Sequence, residues 1–527
     1  MPGRGRWFLI AAAGLLWLAI TTPKLLQHAS ANTADLDTGN YHHLAWAIAH
    51  LGPADGFASS VLTRHHLGEH CSPVMLLVAL PYLVWPSAYV LMLLQATAVW
   101  ATIWMTLLFA HHTLRHPERA QRIEGPRLEV ANDPGRGPST ALGMTDGTRR
   151  IVLAVFLVML LVWPPLTATL ATQFQPIELA APLIALSLLL IHTRRTRWLW
   201  LTIPLLLSTR ESAPLAVVGI GLYAGIGHRR WDLFGILTMV AIAWLAIAMG
   251  VVMPYFRGGA EWGHTSYVDW SAAWDDKAEY LLVMLLGLGL FLYLGRHSIA
   301  AAIGVIPGLL LNVSVDRWTQ YSFVGHYDAQ TIPFLMIAAA HGLGALTTLK
   351  RTVALTVPSL ALSLILWGIP GTKTVWQRLN DWWPTADRRA TIAEAVEMAE
   401  RYRGAPALTA HHRLGPHVAG RPTYIAERTG RTKEKWVWWI STRARPGHLF
   451  LIPREDNPFV KSGFPGQVRR SGSAVLIERG DWVELWQWPL DAPPLPPPPP
   501  FGDPEAARAY AAWLHAGDDE ERSEYDP

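Results

Sequence analysis

Two pairs of ionisable residues border one polar segment near the start of the chain. Asp35 and Asp37 come directly after a long apolar run, and Glu69 and His70 stand just before the next one. A carboxylate in this place could act as a general base, or it could bind a divalent cation such as Mg²⁺ or Mn²⁺, with Glu69 and His70 completing the coordination. The four residues are therefore candidate metal ligands. The alternative is a solvated loop whose side chains take no part in any chemistry.

The apolar runs that must position these residues indicate a membrane protein. Charged residues make up 16% of the 527 residues and hydrophobic residues 51%, whereas roughly 25% of an ordinary soluble domain is charged. A spanning helix needs about 20 mostly apolar residues. We predict an α-helical polytopic membrane protein with about eleven crossings. The long candidates are 7–26, 88–110, 151–171, 233–256, 329–349 and 352–369, and the short ones are 176–191, 198–208, 213–227, 280–294 and 298–312.

The distribution of Lys and Arg predicts the orientation. When the crossings alternate, every basic cluster falls on one side, which the positive-inside rule assigns to the cytoplasm. The N-terminus is then cytoplasmic, the C-terminal part is extracytoplasmic, and the protein belongs in the cytoplasmic (inner) membrane. Basic residues clustered in this way do not form a face for nucleic acid. The first apolar run, followed by Ala29-Ser30-Ala31, also resembles a cleavable secretory signal, although we favour an uncleaved helix.

Composition divides the chain into three parts. Residues 1–371 form the predicted transmembrane domain, which includes a first outer loop at 27–72 and a cytoplasmic loop at 111–150 that is rich in Gly, Pro and Arg and predicted to be disordered. Residues 372–490 are expected to form a small extracytoplasmic α/β domain. Residues 491–527 are proline-rich and acidic, which is typical of a flexible tail.

The α/β domain is predicted from local periodicity. Residues 387–402 have a helical apolar period, and the last two strands alternate around Gly480-Asp481, which predicts a hairpin. The single cysteine, Cys71, allows no internal disulfide, so packing alone must stabilise this domain. The expected strands are 405–410, 448–452, 474–478 and 482–488.

Short motifs follow one another in order from Asp37 to about Trp488. Residues 37–46 read DTGNYHHLAW, and residues 67–73 read LGEHCSP. These motifs resemble the Asp-x-Gly-x-aromatic-x-Gln-x-x-Trp and Gly-Asp-His-Phe-Ser-Pro segments of a family of bacterial predicted membrane proteins labelled as a domain of unknown function. The chain departs from that family at His43, where the family usually has Gln, and at Gln175, where it has His. Further matching segments are Phe174-Gln175-Pro176 with Glu178, Arg210-Glu211, Pro254-Tyr255-Phe256, His326-Tyr327 with Pro333-Phe334, and residues 411–417.

That family resembles a branch of the GT-C membrane glycosyltransferases, the group of protein O-mannosyltransferases and the lipid A aminoarabinose transferase. The resemblance implies a polyprenyl-phosphate sugar bound at the outer leaflet and an acidic residue in the first outer loop that activates the acceptor. Carried over to this chain, Asp37 is the catalytic base. The departing lipid phosphate would need a positive charge to stabilise it.

The same resemblance suggests a set of substrate-binding residues. Arg210 and Arg257 are candidates for the phosphate contact, and Trp46 could stack on a sugar ring. Each has a structural alternative: Arg210 could pair with Glu211 to cap two helix ends, and Arg257 could anchor its helix among lipid headgroups. An aromatic residue such as Tyr327 could belong to the interfacial belt. The full set is Trp46, Glu69, His70, Arg210, Glu211, Arg257, His326 and Tyr327.

Three functions compete at this stage. The first is an enzyme that transfers a sugar from a polyprenyl-phosphate carrier to an acceptor on the outer face of the membrane, with membrane lipids as its other partners. The second is a transporter or flippase for an envelope lipid or solute, which would need polar groups that continue past the midplane. The third is a membrane-anchored scaffold for envelope partners. We rank the enzyme first because the polar residues gather at the outer ends of the predicted helices.

Overall fold

The computed structural model describes most of the chain. The predicted disordered loop lies largely outside the described residues, and the proline-rich tail lies outside them entirely. The described residues are 3–33, 35–57, 65–115, 145–257, 274–286, 288, 294–315, 320–321, 327–346, 349–366, 375–379, 381–421, 424–425, 446–457, 463–470 and 474–489.

Helices dominate the described residues, as the sequence predicted. Four of them are long and apolar enough to cross a membrane: Ile10–Ala29, Tyr89–Arg115, Trp231–Phe256 and Arg296–Val313. Helices Gly147–Val162 and Pro164–Ala171 meet at 55° and add a fifth span if the bent pair is one crossing. The bend follows from Pro164 and Pro165, because proline cannot continue the hydrogen-bond ladder. Four shorter apolar helices are Pro176–His192, Ala213–Gly227, Ile332–Gly344 and Arg351–Leu366. The total of about eleven crossings stays a prediction.

Shorter helical elements connect the apolar helices and bring polar residues to their ends. A single π-helical turn, Asp35–Gly39, precedes the helix Asn40–Gly56. The other helices outside the apolar set are His66–Glu69, Met75–Ala79, Leu199–Leu207, Trp274–Leu286, Val375–Arg378, Ala386–Arg401, Gly415–Val418 and Gly463–Arg470. Turns of 3₁₀-helix occupy Leu80–Leu83, Pro176–Leu179, Thr196–Trp198 and Tyr327–Gln330.

The chain folds as two compact units. The helical unit comprises Met1–Lys24, Leu67–Met75 and Met92–Asp381. The mixed unit comprises Leu25–His66, Leu76–Leu91 and Trp382–Pro527. Residues of the first outer loop therefore pack with the C-terminal residues in one body.

The mixed unit contains a four-stranded sheet in the order β1-β2-β4-β3. The strands are β1 (Leu408–Ala410), β2 (Leu449–Pro453), β3 (Val475–Arg479) and β4 (Val483–Gln487). Strands β1 and β2 run parallel, and the other two pairs are antiparallel. The hairpin predicted at Gly480-Asp481 is confirmed. Its loop extends to Trp482, and Gly480 N donates to Val483 O at 2.9 Å.

The core of this sheet follows from the sequence pattern. The inner strand β2 reads LFLIP and is buried along its whole length, whereas the edge strand β3 alternates between exposed and partly buried residues. Helix Ala386–Arg401 packs Ala395 and Ala399 into the same core, with Ile392 partly buried beside them. The predicted apolar face of this helix is therefore confirmed.

Close helix crossings in the helical unit depend on glycine. A Cβ atom on Gly304 would lie 2.8 Å from the ring of Phe334 and 2.9 Å from the carbonyl oxygen of Gly219. The helix that begins at Arg296 thus touches the backbone of helix Ala213–Leu222. Small residues allow such approaches between membrane helices.

We expect Gly304→Val to destabilise the helical unit by about 1–3 kcal/mol, because overpacking forces the crossing helices apart. Gly235→Val is the matched control, since a Cβ atom on Gly235 meets nothing within 4 Å. Thermal unfolding of the full chain in detergent should show a lower midpoint for the first variant and little change for the second. Equal midpoints for the two variants would contradict the close crossing.

Candidate functional site

The predicted base, Asp37, lies in the π-helical turn Asp35–Gly39 of the mixed unit. Its side chain is partly exposed, while Thr38 and Asn40 beside it are buried. Turns of π-helix occur frequently at functional sites because the extra residue re-aims the neighbouring side chains. Asp37 is therefore partly exposed directly before buried residues. Asp35 begins the same turn.

Arg210, Glu211 and His70 meet in the helical unit. The His70 Nδ1 atom donates to Glu211 Oε1 at 3.0 Å, and the backbone N–H of Cys71 donates to Glu211 Oε2, also at 3.0 Å. Arg210 Nε contacts Glu211 Oε1 at 3.4 Å. The Glu211 carboxylate therefore connects two segments. One precedes the helix Met75–Ala79, and the other is the turn between helices Leu199–Leu207 and Ala213–Leu222. The sequence analysis considered a pair of Arg210 with Glu211, and the structure adds His70 to it.

Tyr327 completes this group. The Arg210 guanidinium lies over the Tyr327 ring, with Cζ 5.9 Å from the ring centroid. Next to it, Gln330 Nε2 donates to Ser212 Oγ at 2.8 Å, which fixes the turn Tyr327–Gln330 against the Arg210 turn. A guanidinium held by a carboxylate and an aromatic face keeps its position and its charge. The side chain of Arg210 is 13% exposed.

The charge state of Glu211 follows from its neighbours. Burial by itself would raise the pKa of this carboxyl group, but His70 and Arg210 outweigh burial and hold the pKa well below its usual range. Glu211 is therefore ionised at neutral pH and provides a fixed negative charge beside the guanidinium.

The remaining predicted site residues have different surroundings. Glu69 ends the short helix His66–Glu69 and is partly exposed. Trp46 is only 8% exposed and stacks on His50 with ring centroids 4.7 Å apart. Arg257 ends the helix Met253–Arg257, and its side chain lies outside the described part. His326 also lies outside the described residues.

A buried polar network surrounds Glu178. Its Oε1 atom accepts from Gln95 Nε2 at 2.8 Å and from Thr172 Oγ1 at 2.9 Å. Lys24 Nζ donates to the backbone oxygen of Thr172 at 2.7 Å and is fully buried. The backbone N–H of Gln175 donates to Glu178 Oε2 at 3.3 Å, so the departure from the family's histidine leaves this bond intact. Sequence reasoning missed Lys24, although an ionisable residue inside an apolar run is itself a signal.

A second buried carboxyl group, Asp328, was also missed. Tyr280 Oη donates to Asp328 Oδ1 at 2.6 Å, and Asn312 Nδ2 approaches the same oxygen at 3.3 Å. Burial raises the pKa of Asp328 to about 7, against the two hydrogen bonds, which lower it. The sequence indicated Asp328 only through its position directly after Tyr327, a predicted substrate-binding residue.

The candidate metal ligands Asp35, Asp37, Glu69 and His70 are divided between the two units, so their metal site stays a prediction. No group of three or more His, Cys, Asp or Glu side chains in the part of the chain that the structure describes is arranged to hold a metal ion. In the helical unit, His70 instead turns towards Glu211.

A family of known sequences matches this chain. The family model of the predicted membrane protein DUF2079 matches residues 27–444. The chain belongs to the DUF2079 family. The resemblance stated from the motifs is thereby confirmed, and this DUF2079 protein is a membrane protein. No curated protein matches its sequence.

Three solved structures resemble this DUF2079 protein. ArnT from Cupriavidus metallidurans bound to undecaprenyl phosphate has 12% sequence identity and a TM-score of 0.51, covering 93% of this chain and 100% of ArnT. The apo state of ArnT gives a TM-score of 0.49 at 12% identity, with 93% of this chain and 99% of ArnT covered. The arabinofuranosyltransferase AftD from Mycobacteria gives 0.45 at 15% identity, with 90% of this chain and 41% of AftD covered. The first comparison shows that the chain shares the fold of ArnT.

We expect the contribution of Asp328 to the free energy of unfolding to fall as the pH rises from about 4 to about 7, because Asp328 keeps its proton in the folded state up to a pKa of about 7, against an ordinary value of 3.8. The contribution is fully present below 3.8 and lost above about 7. Asp328→Asn should remove this slope, which is at most about 1.4 kcal/mol per pH unit. Thermal unfolding midpoints of both proteins between pH 5 and pH 8 test this. Parallel curves would show that Asp328 is already ionised in the folded protein.

Proposed function

We propose that this protein is an integral-membrane glycosyltransferase. It moves a sugar from a polyprenyl-phosphate donor to an acceptor hydroxyl at the outer face of the cytoplasmic membrane. The observation that carries the proposal is the fold, which aligns with all of ArnT, a protein whose structure holds undecaprenyl phosphate. A lipid-linked donor also accounts for the many apolar helices, since the prenyl chain must be held in the bilayer.

In this proposal Asp37 is the general base. Its carboxylate takes the proton of the acceptor hydroxyl as the acceptor oxygen attacks the anomeric carbon of the sugar. The bond between that carbon and the phosphate oxygen breaks, and the polyprenyl phosphate leaves with the electron pair. Attack from the face opposite the leaving group inverts the anomeric centre. The partly exposed side chain of Asp37 on a buried segment suits this role.

Arg210 is the proposed contact for the departing phosphate. Negative charge on the leaving oxygens grows in the transition state, so a fixed guanidinium stabilises the transition state more than the ground state. Glu211 and Tyr327 hold Arg210 in place before the substrate arrives. The alternative that Arg210 and Glu211 only satisfy each other is less favoured, because Glu211 already accepts from His70 and from the Cys71 backbone.

A cluster of histidines bears on the transporter alternative. It lies at the far ends of the helices that begin near Glu178, Glu211 and Asp328. Tyr223 Oη joins two of its rings, with oxygen to nitrogen distances of 2.8 and 3.1 Å. The members of the cluster are His112, His192, Tyr223, His228, His297 and His341.

Two of these helices are apolar between the two polar levels. Residues 213–222 read APLAVVGIGL, and residues 332–340 read IPFLMIAAA. A translocation path for a polar headgroup needs polar side chains through the middle of the bundle. The apolar middle of these two helices therefore favours the enzyme over the transporter.

We expect Asp37→Asn to reduce sugar transfer by about 10²–10⁴-fold, the usual contribution of a general base. Membranes carrying each variant would be incubated with a panel of radiolabelled polyprenyl-phosphate sugars, with expression matched by immunoblot. Asp55→Asn is the matched control, because Asp55 is an exposed carboxylate on the following helix. Transfer that survives in Asp37→Asn would remove Asp37 as the base, and no transfer by the wild type from any donor would remove the enzyme assignment.

We expect Arg210→Gln to lower kcat/KM for the donor by about 10²–10³-fold, since it removes one preorganised positive charge from the leaving group. Arg230→Gln is the control, because Arg230 is exposed and pairs with Asp232. Undecaprenyl phosphate should also raise the thermal midpoint of the wild type more than that of Arg210→Gln. Equal midpoint shifts in both proteins would argue that Arg210 does not contact the phosphate.

A further inference from the structure

Residues 415–421 of the C-terminal region contact the chain on both sides of Asp37. We call these residues the clamp segment. The segment follows β1 and begins with the helix Gly415–Val418, which packs directly against the π-helical turn Asp35–Gly39. All of these residues belong to the mixed unit.

On the upstream side, the clamp segment holds the end of the first helix. The ring of His417 stacks on His28, with centroids 4.2 Å apart and planes inclined by 17°. His28 Nδ1 in turn lies 3.0 Å from Thr33 Oγ1. Through His28, the clamp segment is therefore linked to Thr33, which lies just before the turn Asp35–Gly39.

On the downstream side, the clamp segment holds the helix that follows Asp37. His43 Nδ1 donates to the backbone oxygen of Ala419 at 3.3 Å. A Cβ atom on Gly420 would lie 3.0 Å from His42 Nε2 and 3.5 Å from Trp46 Cδ1. The first distance is tight for a Cβ atom, so a side chain at position 420 would press on the His42 ring.

The clamp segment is itself fixed to the sheet domain. Arg421 is 3% exposed, and its Nη2 atom donates to the backbone oxygens of Ala399 and Tyr402, each at 3.1 Å. These oxygens lie at the C-terminal end of helix Ala386–Arg401, where a cation is favourable. At the other end, Gly415 N donates to His411 O, and His411 N donates to Leu451 O in strand β2, both at 2.9 Å. The clamp segment therefore connects the Asp37 segment to the core of the domain.

The clamp contacts join neutral groups. Burial lowers the pKa of His42 to about 3 and the pKa values of His43 and His417 to about 4. Because these rings carry no charge at neutral pH, the stack and the hydrogen bonds do not depend on ionic strength.

We propose that the clamp segment is a positioning element for Asp37, so that the C-terminal domain is an obligatory part of the transfer site and not a separate binding module. The inference rests on the proposed function, because Asp37 is taken as the base. A base must be held to within a fraction of an ångström, and a misplacement of about 1 Å can cost about 10²-fold in rate.

The first test changes the fit at Gly420. Gly420→Val pushes into His42 and Trp46, while Gly404→Val is the matched control, because a Cβ atom on Gly404 meets nothing within 4 Å. With the full chain in detergent, we expect kcat for sugar transfer to fall about 10²-fold in Gly420→Val, with KM for the lipid donor nearly unchanged. A purely structural role would lower the yield of active protein and leave kcat per folded molecule unchanged.

The second test uses the position at which this chain departs from its family. His43→Leu removes the donor to Ala419, whereas His43→Gln restores a donor with the residue that the family usually has. We expect a loss of kcat in the first variant and near wild-type kcat in the second. Equal activity in both variants would overturn the proposal.

A third measurement does not need transfer activity. In the Asp37→Cys background, labelling of residue 37 by a maleimide reports its exposure, and buried Cys71 (1% exposed) serves as an internal check of folding. We expect Gly420→Val to change the labelling rate at residue 37 severalfold while Gly404→Val leaves it unchanged. Equal rates in both variants would overturn the clamp even if transfer is observed. A changed rate would support it even if no sugar donor is found.

Discussion

The Glu211 carboxylate accepts hydrogen bonds from His70 and from the backbone of Cys71 and lies against Arg210, all among apolar helices. A charge in such surroundings carries a desolvation cost of several kcal/mol unless it is paired and hydrogen-bonded. Glu178 is likewise buried, and its carboxyl group accepts hydrogen bonds from Gln95 and Thr172. The hydrogen bonds of each carboxyl group therefore determine which segments lie in contact. They also fix the relative axial position of helices that are otherwise apolar.

This constraint also explains where the polar residues lie. The helices in contact with these carboxylates begin at one polar level and end at the histidine cluster, with apolar side chains between. Between membrane helices, packing of small residues replaces the hydrophobic effect as the source of specificity. Gly304 against Gly219 is such a contact. Charged side chains thus pair at the ends of the helices, and the middle parts of the helices pack through close approach of their backbones.

Local patterns were sufficient to predict the architecture but not the contacts of the site. The apolar face of helix Ala386–Arg401 and the hairpin at Gly480 depend on neighbours in sequence, so periodicity predicted them. His70 and Glu211 are 141 residues apart, and their pairing depends on the tertiary fold. Lys24 was missed because one charged residue changes the mean hydropathy of a long apolar run only a little. Trp46 stacks on His50, a contact that the motif does not specify.

The placement of the first outer loop with the C-terminal residues has a physical reason. A polar segment of this length has too few apolar residues to fix its own backbone, and fixing each residue costs about 1–2 kcal/mol of conformational entropy. Packing against a domain with its own core supplies the missing contacts. His43 and Ala419 are 376 residues apart, yet they make the bond that orders the helix after Asp37. The segment that carries Asp37 therefore makes its long-range contacts with residues of the C-terminal sheet domain.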